Sequence, residues 1–531
     1  MGSKEIIVGK LSDFENDSMK TVELEDSKDK ILICRFGGEF SALSPYCTHY
    51  GAPLEEGALS EGRIVCPRHH SCFSAKNGDF LEPPAFDSLV AYELKAEGEN
   101  LVVTVPDKIE KRRLPGLTKP DYTSDKRRFV IIGAGAAGYS AAQTLRENGF
   151  KGRIYMITKE NKLPYDRPNL SKEYMQGKAK DEWMPLREQK FYYDYGIDIL
   201  RERKVLILDA ASKTVALDDG QHLVFDKVLI ASGGKPRELD IPGSELGNIF
   251  TLRSYRNAEQ IIAATKKAHE ASVIGSSFIG MEGAYSLSEL GIAVTVVGKD
   301  RVPFEKTLGK EIGELFRSEH EKNGVVFEMD TNVSRFLGNG NVGKLVLNDG
   351  KEIKTDLVLV GIGVVPATEF IHDIELNPDG SLKVDEYLSA AKDVYAAGDI
   401  ASFPDPNTGK QVRIEHWRTA EQQGKIAALN MLDKNVPYSG VPFFWTAQAG
   451  LNFRYVGHAE SWDYMITWGS IAAKEFITFY VSGGKVAAAA GNNRDAEMAA
   501  IEELMRVGKM PLPEILEKYP IDLEDLLNKS D

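Results

Sequence analysis

The run Phe129-Val130-Ile131-Ile132 passes without a break into Gly133-Ala134-Gly135-Ala136-Ala137-Gly138. A helical stretch to Leu145 and a second apolar run, Arg153-Ile154-Tyr155-Met156-Ile157-Thr158, follow. Consecutive apolar β-formers call for burial on both faces, which a parallel sheet covered by helices provides. Strand, glycine turn, helix and strand in that order restrict this part of the chain to a βαβ unit that binds a dinucleotide. Gly133 permits the tight turn, Gly135 the close approach of a pyrophosphate, and Gly138 close helix packing. Ala137 lies in the same loop, where the helix N-terminus offers N–H groups and partial positive charge to phosphates. Glu160, just past the second strand, is the candidate partner of the adenosine ribose, with Lys159 beside it.

The pattern returns further along. Ala271-Ser272-Val273-Ile274 leads into Gly275-Ser276-Ser277-Phe278-Ile279-Gly280-Met281-Glu282, and then into the strand Ala293-Val294-Thr295-Val296-Val297. Ser277 stands where the first loop has its middle glycine. Alone, this stretch could be a buried helix–strand contact. As a second copy it reads as a second nucleotide site, with Gly275, Ser277 and Gly280 as binding positions. A chain of 531 residues has room for about three or four domains, so neither unit is the whole molecule.

The four cysteines, Cys34, Cys47, Cys66 and Cys72, all lie near the N-terminus. That excludes a disulfide framework for the whole chain and confines thiol chemistry to one domain. Residues 1–107 read as short strands with turn signals, such as Ile31-Leu32-Ile33-Cys34-Arg35-Phe36 before Gly37-Gly38, which predicts a small antiparallel β domain. Inside it lie Cys47-Thr48-His49 and Cys66-Pro67-Arg68-His69. The plainer readings are a zinc site of two Cys and two His, or unrelated core cysteines. Zinc fingers usually place both cysteines on one loop and both histidines on the other. One Cys and one His on each loop is what a Rieske 2Fe–2S cluster requires, with thiolates on one iron and imidazoles on the other.

The stretches 47–54 and 66–73 resemble the two cluster-binding loops of Rieske ferredoxins. The resemblance implies Cys47, His49, Cys66 and His69 as metal ligands, with His70 one residue beyond the spacing. Respiratory-type Rieske proteins add an inter-loop disulfide and a Tyr hydroxyl; this chain has Ala52, Arg68 and Phe73 there. Fewer hydrogen bonds to sulfur disfavour the reduced cluster, so a low-potential, ferredoxin-like cluster is expected. Cys34 and Cys72 are expected to be buried small hydrophobes.

Ile230-Ala231-Ser232-Gly233-Gly234 and Gly361-Ile362-Gly363-Val364-Val365-Pro366 are strand-to-turn elements. Val394-Tyr395-Ala396-Ala397-Gly398-Asp399 resembles the second FAD motif of flavoproteins. With the two glycine loops these resemble the flavoprotein reductases with two dinucleotide-binding domains. That implies FAD on the first unit, held by Asp399 at its ribityl chain, with NAD(P)H on the second and Gly363 between them. No cysteine follows Cys72, which excludes thiol–disulfide or cysteine-peroxidase chemistry at the flavin.

Leu163-Pro164-Tyr165-Asp166-Arg167-Pro168-Asn169-Leu170-Ser171-Lys172 resembles the flavin-side loop of oxygenase-coupled ferredoxin reductases and apoptosis-inducing-factor proteins. It implies that Arg167 and Pro168 line FAD. Lys172 would approach the N5 edge, paired with Glu282 as the catalytic couple. An ammonium there would stabilise negative charge on reduced flavin; a surface lysine and a helix-face acid are the plain alternatives. Glu415-His416-Trp417 resembles the segment that covers the ring, with Trp417 shielding one face, against the alternative of a core Trp. Arg413 fits no role.

The expected class is α/β. An all-β Rieske domain over 1–107 and a basic linker over 108–127 precede an FAD-binding domain over 128–250 and 376–433. An NAD(P)H-binding domain spans 251–375, and a C-terminal α+β domain of dimerisation type spans 434–531. The whole resembles apoptosis-inducing-factor-like proteins with an N-terminal Rieske domain. The resemblance implies an NAD(P)H oxidoreductase that passes electrons through FAD to the cluster, and on to an unnamed acceptor at an exposed histidine edge. The alternative is a redox-sensing signalling protein whose reduction switches conformation or partner. Nothing in the chain forms the mononuclear iron site of a complete oxygenase. Val297-Gly298-Lys299-Asp300-Arg301 lacks the usual acid for a ribose 2′-OH; Lys299 and Arg301 suit a 2′-phosphate and Asp300 opposes it, so both nucleotides stay open. A net charge of −14 argues against nucleic acid. No apolar run is long enough to span a membrane, no secretory signal opens the chain, and Ile6 breaks a myristoylation signal. A soluble intracellular compartment such as the cytoplasm is expected, with a homodimer as one arrangement.

Overall fold

The computed structural model describes residues 2–24, 28–518 and 521–528. The N-terminal β-formers build two antiparallel sheets. One orders its six strands Ser3–Lys10, Asn100–Pro106, Ala91–Glu97, Glu39–Leu43, Lys30–Phe36 and Ser18–Glu23. The other runs Ala58–Ser60, Arg63–Val65, Cys72–Ser74 and Phe80–Glu82. The strand Lys30–Phe36 is apolar on both faces for a reason. Ile31 and Ile33 pack with Val103, while Leu32 and Cys34 pack with Leu43, Phe73 and the loop cysteines Cys47 and Cys66. Cys34 and Cys72 are both buried, and burial pushes the Cys34 thiol up to about 12.

No strand or helix forms between Pro106 and Arg128. Two basic residues of this connector, Arg112 and Arg113, are strapped to the β domain. Arg113 bonds Asp79 at 2.6 Å and exchanges backbone hydrogen bonds with Ser88, and Arg112 lies 3.4 Å from Asp87. They face acids of their own chain rather than solvent phosphates.

The first glycine unit sits in a sheet ordered Ile197–Leu200, Arg153–Ile157, Arg128–Ile132, Lys227–Ile230, Val394–Ala396 and Ser389–Ala391. All its pairings are parallel except the last. The second sits in an all-parallel sheet ordered Ile249–Thr251, Leu357–Val360, Glu270–Ile274, Ala293–Val297 and Val326–Glu328. The short antiparallel pair Gly234–Pro236 with Val364–Pro366 stitches the two units at the chain crossings.

The C-terminal sheet orders Phe443–Gln448, Leu451–Gly457, Lys485–Asn492, Glu475–Ser482 and Tyr464–Ser470. One face packs on the second nucleotide unit, Leu451, Phe453 and Tyr480 sharing a core with Met281 and Phe316. The other face joins the helix Asp495–Arg506 and the β domain, so that Ala58, Val65 and Cys72 share a core with Phe443, Ile477 and Met498. First and last domains are therefore built around one apolar cluster. Among the described residues no helix is long and apolar enough to cross a membrane.

Candidate active site

The two glycine loops have the same backbone. Gly133 has φ +116°, and a Cβ on it would lie 2.1 Å from the Ala231 carbonyl oxygen; one on Gly138 would lie 1.9 Å from that of Gly133. Gly275 repeats this at φ +104° with 2.3 Å to Gly361 O, and Gly280 with 2.2 Å to Gly275 O. The middle positions differ. Around Gly135 nothing lies within 4 Å of a Cβ, and the helix Ala136–Glu147 that it opens has no side-chain cap. This cradle fits the pyrophosphate of FAD. Ser277 turns its hydroxyl back to the Gly361 carbonyl at 2.8 Å. Gly363 is likewise open, with φ +94°. Gly424, a position without a signal of its own, lets the helix Trp417–Met431 cross the first helix: a Cβ there would lie 2.1 Å from Ala137 O.

Around the first loop the polar residues form one chain of contacts. Tyr165 and Arg167 donate to Glu160 at 2.8 and 3.0 Å, and Arg167 also bonds the Arg253 carbonyl. Arg253 donates to Asp399 at 2.6 Å. Arg413, unassigned from sequence, donates to Glu415 at 2.6 Å, Asp379 at 2.9 Å and the Asp399 carbonyl at 3.0 Å. Arginines thus position all three candidate acids, Glu160, Asp399 and Glu415. Burial pushes the Glu415 carboxyl up and the His416 imidazole down to about 3. His416 is the N-cap residue of the helix that Trp417 begins, its ring centroid 4.7 Å from that of Phe444. Its buried Nδ1 has no partner among the described residues, an orphaned polar atom that fits a bound polar ring system.

Lys172 and Glu282 are joined at 2.7 Å, and Lys172 also donates to the Pro168 carbonyl at 3.1 Å. Glu282 is only 4% exposed. It also accepts from Ser171 at 2.5 Å and from Thr446 at 2.6 Å. Gln448 donates to Thr446 at 2.9 Å and meets buried His320 at 2.9 Å. Several donors on one buried carboxylate offset its desolvation. Neither residue is the solvated surface charge of the plain alternative.

The two cysteine–histidine loops close alike. Cys47 N–H donates to Ala52 O and Gly51 N–H to Cys47 O, at 2.8 and 2.9 Å; Cys66 N–H donates to Ser71 O and His70 N–H to Cys66 O, at 2.9 and 3.1 Å. Facing one another, they bring His49 Nδ1 within 3.2 Å of His69 Nδ1. The Cys47 and Cys66 thiols meet in a hydrogen bond that holds Cys66 down, helped by the backbone N–H groups of Arg68 and His69. Sulfurs gather with sulfurs and imidazoles with imidazoles. Among the described residues no three His, Cys, Asp or Glu side chains assemble as a single-metal site. The donor set fits a 2Fe–2S cluster with two protein ligands per iron, rather than tetrahedral zinc. Burial holds His49 down to about 3 and His69 well below its usual value, so both are neutral, the ligand form. Buried Phe73 brings no hydroxyl, but the Ser71 hydroxyl reaches the Cys47 sulfur. That is one more donor to sulfur than foreseen from the sequence.

The histidine edge does not stand open as expected. The His49 ring stacks on Tyr50 at 3.9 Å, and Tyr50 donates to Asp166 of the flavin-side loop. The His69 ring lies 4.6 Å from Trp445. The reason is that the reductase body of the same chain covers part of this edge and leaves both imidazoles half-buried. His70 points the other way, stacked on Phe443 at 3.9 Å and bonded to Glu502. Glu502 also accepts from fully buried Arg418 at 2.6 Å, and Arg68 pairs with Asp495 at 2.7 Å. Through these contacts the helix Asp495–Arg506, within the C-terminal domain of dimerisation type expected over 434–531, docks the β domain. Trp445 and Thr446, neighbours on the strand Phe443–Gln448, touch His69 and Glu282 respectively.

Comparison with known proteins agrees with this layout. Residues 127–424, more than half the chain, match the pyridine nucleotide-disulphide oxidoreductase model; residues 4–93 match the Rieske 2Fe–2S domain and 443–527 the reductase C-terminal domain. Apoptosis-inducing factor 3 of Homo sapiens is 37% identical over 517 residues, spanning 95% of this chain and 84% of its own. The benzene 1,2-dioxygenase system ferredoxin–NAD(+) reductase subunit of Pseudomonas putida is 30% identical over 76% of this chain and 98% of its own. The covalent putidaredoxin reductase–putidaredoxin complex superposes with a TM-score of 0.71 at 27% identity, over 76% of this chain and 98% of that one. A ferredoxin reductase from Rhodopseudomonas palustris superposes with a TM-score of 0.72 at 28% identity, over 75% of this chain and 99% of its own. The chain belongs to the pyridine nucleotide-disulphide oxidoreductase family, as an NAD(P)H-dependent flavoprotein of the ferredoxin reductase type that carries its own Rieske domain and is related to apoptosis-inducing factor 3.

Proposed function

We propose that this protein is a ferredoxin reductase fused to its ferredoxin, carrying electrons from NAD(P)H through FAD to its own Rieske cluster, and on to a separate acceptor. The observation that carries the reading is the strand Phe443–Gln448. Its successive residues Trp445 and Thr446, pointing to opposite faces, contact a cluster-side histidine and the carboxylate of the Lys172–Glu282 pair. The two ends of the wire lie on one strand of one chain, which supports transfer within the chain.

Bound in these sites, FAD would supply hydride-accepting chemistry toward a nicotinamide and the 2Fe–2S cluster would supply one-electron chemistry. The chain's own residues supply the rest. The loops at Gly133, Gly135, Ala137 and Gly138, and at Gly275, Ser277 and Gly280, present helix N-termini to phosphates. Glu160 takes the adenosine ribose and Asp399, steadied by Arg253 and Arg413, the ribityl chain. Arg167, Pro168, Glu415, His416 and Trp417 line the ring and exclude water. Lys172, held by Glu282, would supply a positive charge that favours the reduced form of a flavin bound beside it. Cys47, Cys66, His49 and His69 hold the irons.

An anaerobic titration of the full chain with NAD(P)H, followed by absorbance and EPR, tests this. Flavin bleaching and a Rieske-type signal are expected. Cys47→Ser abolishes the signal and leaves flavin bleaching intact. Flavin without labile sulfide in oxygen-free preparations sinks the reading.

A further inference from the structure

Gly298 follows the strand Ala293–Val297, at the place where a dinucleotide unit commonly carries a carboxylate for the ribose 2′-OH. The surroundings leave little room for a side chain. A Cβ on Gly298 would lie 2.8 Å from Met329 Cε, 3.0 Å from Met329 Sδ and 3.0 Å from Ser276 Oγ. The backbone is pinned as well, its N–H donating to Glu328 O and its carbonyl accepting from Thr331 N–H, each at 3.0 Å. An acid at this position must first displace the Met329 thioether and crowd the Ser276 hydroxyl.

Two cations and a hydroxyl stand beside this position in the chain and in the glycine loop. Ser276, in the glycine loop, is half-buried and presents its hydroxyl toward this spot. Lys299 and Arg301 flank the strand end and are exposed. Neither side chain has an ion pair or hydrogen bond among the described residues. The neighbouring acids are occupied. Asp300 is paired with Lys306 at 2.8 Å, Glu328 with Lys351 at 2.6 Å, and Glu305 accepts the Arg301 N–H at 3.1 Å. Asp330, on the turn behind, has no cation on it among the described residues. Among the described residues, Lys299 and Arg301 thus carry no anionic partner at this strand end, while Asp300 and Glu328 are already paired with other lysines.

We propose that the second unit selects NADPH over NADH, its 2′-phosphate taken by Ser276, Lys299 and Arg301. The inference rests on the oxidoreductase reading above and names the reductant of that same site. A phosphate monoester brings close to two negative charges and several acceptor oxygens. A 2′-hydroxyl is best read by a carboxylate acceptor, and the Gly298 position offers none.

The test uses the FAD-loaded full chain. Calorimetric titration with adenosine 2′,5′-bisphosphate and with 5′-AMP reads the phosphate contact without turnover, and anaerobic flavin bleaching by NADPH and by NADH reads the preference. The bisphosphate is expected to bind at least about tenfold more tightly, the scale of a charge-assisted hydrogen bond. Lys299→Ala with Arg301→Ala should erase that advantage and cut the NADPH:NADH ratio of kcat/KM by about tenfold or more. Ser276→Ala should lower it by a smaller factor. Equal binding of the two fragments, or NADH preferred by the unaltered chain, overturns the nucleotide choice while leaving the oxidoreductase reading standing. Bleaching by neither nucleotide overturns that reading, and the choice with it.

Discussion

The two cluster loops share a closure but do different work. At the fifth position of each the backbone turns left-handed, with φ +76° at Gly51 and +57° at His70. Glycine takes that conformation freely, and around Gly51 there is open space. Histidine pays roughly 1 kcal/mol for it. His70 holds the conformation because its ring is buried on Phe443 and bonded to Glu502, which is tied to Arg418. The first loop reaches the reductase through Tyr50 and Asp166 at an exposed contact. Each loop presents one candidate ligand pair, and the second also fastens the domain. A strained non-glycine residue beside a ligand motif thus marks where the strain is compensated by docking.

The strongest way to break this comparison is Glu502→Ala. It leaves the Arg418 guanidinium buried with, among the described residues, only Glu82 at 3.3 Å as a carboxylate partner. Removing one member of a buried ionic cluster costs about 3–5 kcal/mol, so chemical denaturation should show a loss of that size. A loss under about 1 kcal/mol would mean that the anchor contributes no more than a surface pair. The loop positions come next. His70→Gly removes the backbone strain but also the stacked ring and the Glu502 bond, for a net loss of about 2 kcal/mol. Gly51→Ala should cost about 1 kcal/mol from the left-handed backbone alone. If His70→Gly is neutral or stabilising, the second loop fastens nothing.

The contrast also separates what could be read from the chain from what could not. The βαβ units were legible because apolar runs and glycine spacing are local signals, and the gathering of Cys47, His49, Cys66 and His69 because each loop is a contiguous motif. The Lys172–Glu282 pair was legible only through resemblance, since 110 residues separate its members. The fastening was not legible at all. His70 and Glu502 are 432 residues apart, and on the helix Asp495–Arg506 a pair such as Glu502-Glu503 has the look of a solvated face. Arg413 and Gly424 had no signal, because one acts through acids brought in by other elements and the other through a helix crossing. The covered histidine edge was missed for the same physical reason: the covering residues belong to distant segments whose docking no periodicity encodes.

The smallest effect concerns pH at the lighter contact. Burial pushes the Asp166 carboxyl up to about 7, outweighing the Lys172 charge that pulls it down. The folded state therefore binds a proton that the unfolded chain, with an ordinary aspartate, releases near pH 4. Between about pH 4 and 7 the folded state carries more protons, so stability falls as pH rises through that window, and the loss is complete above it. Asp166 is half-buried, so solvent screening reduces the effect to on the order of 1 kcal/mol. Asp166→Asn keeps an acceptor for Tyr50 and removes the titration. Its thermal midpoint should fall less than that of the unaltered chain between pH 5 and pH 8. Glu502 supplies the control at the other loop, since the Arg418 and His70 charges hold its carboxyl low despite burial. Its contribution is already complete at pH 5, so it adds no slope across the measured range. Equal slopes for Asp166→Asn and the unaltered chain would show that the first loop's contact is as insensitive to pH as the second, and the two loops would differ in strength alone.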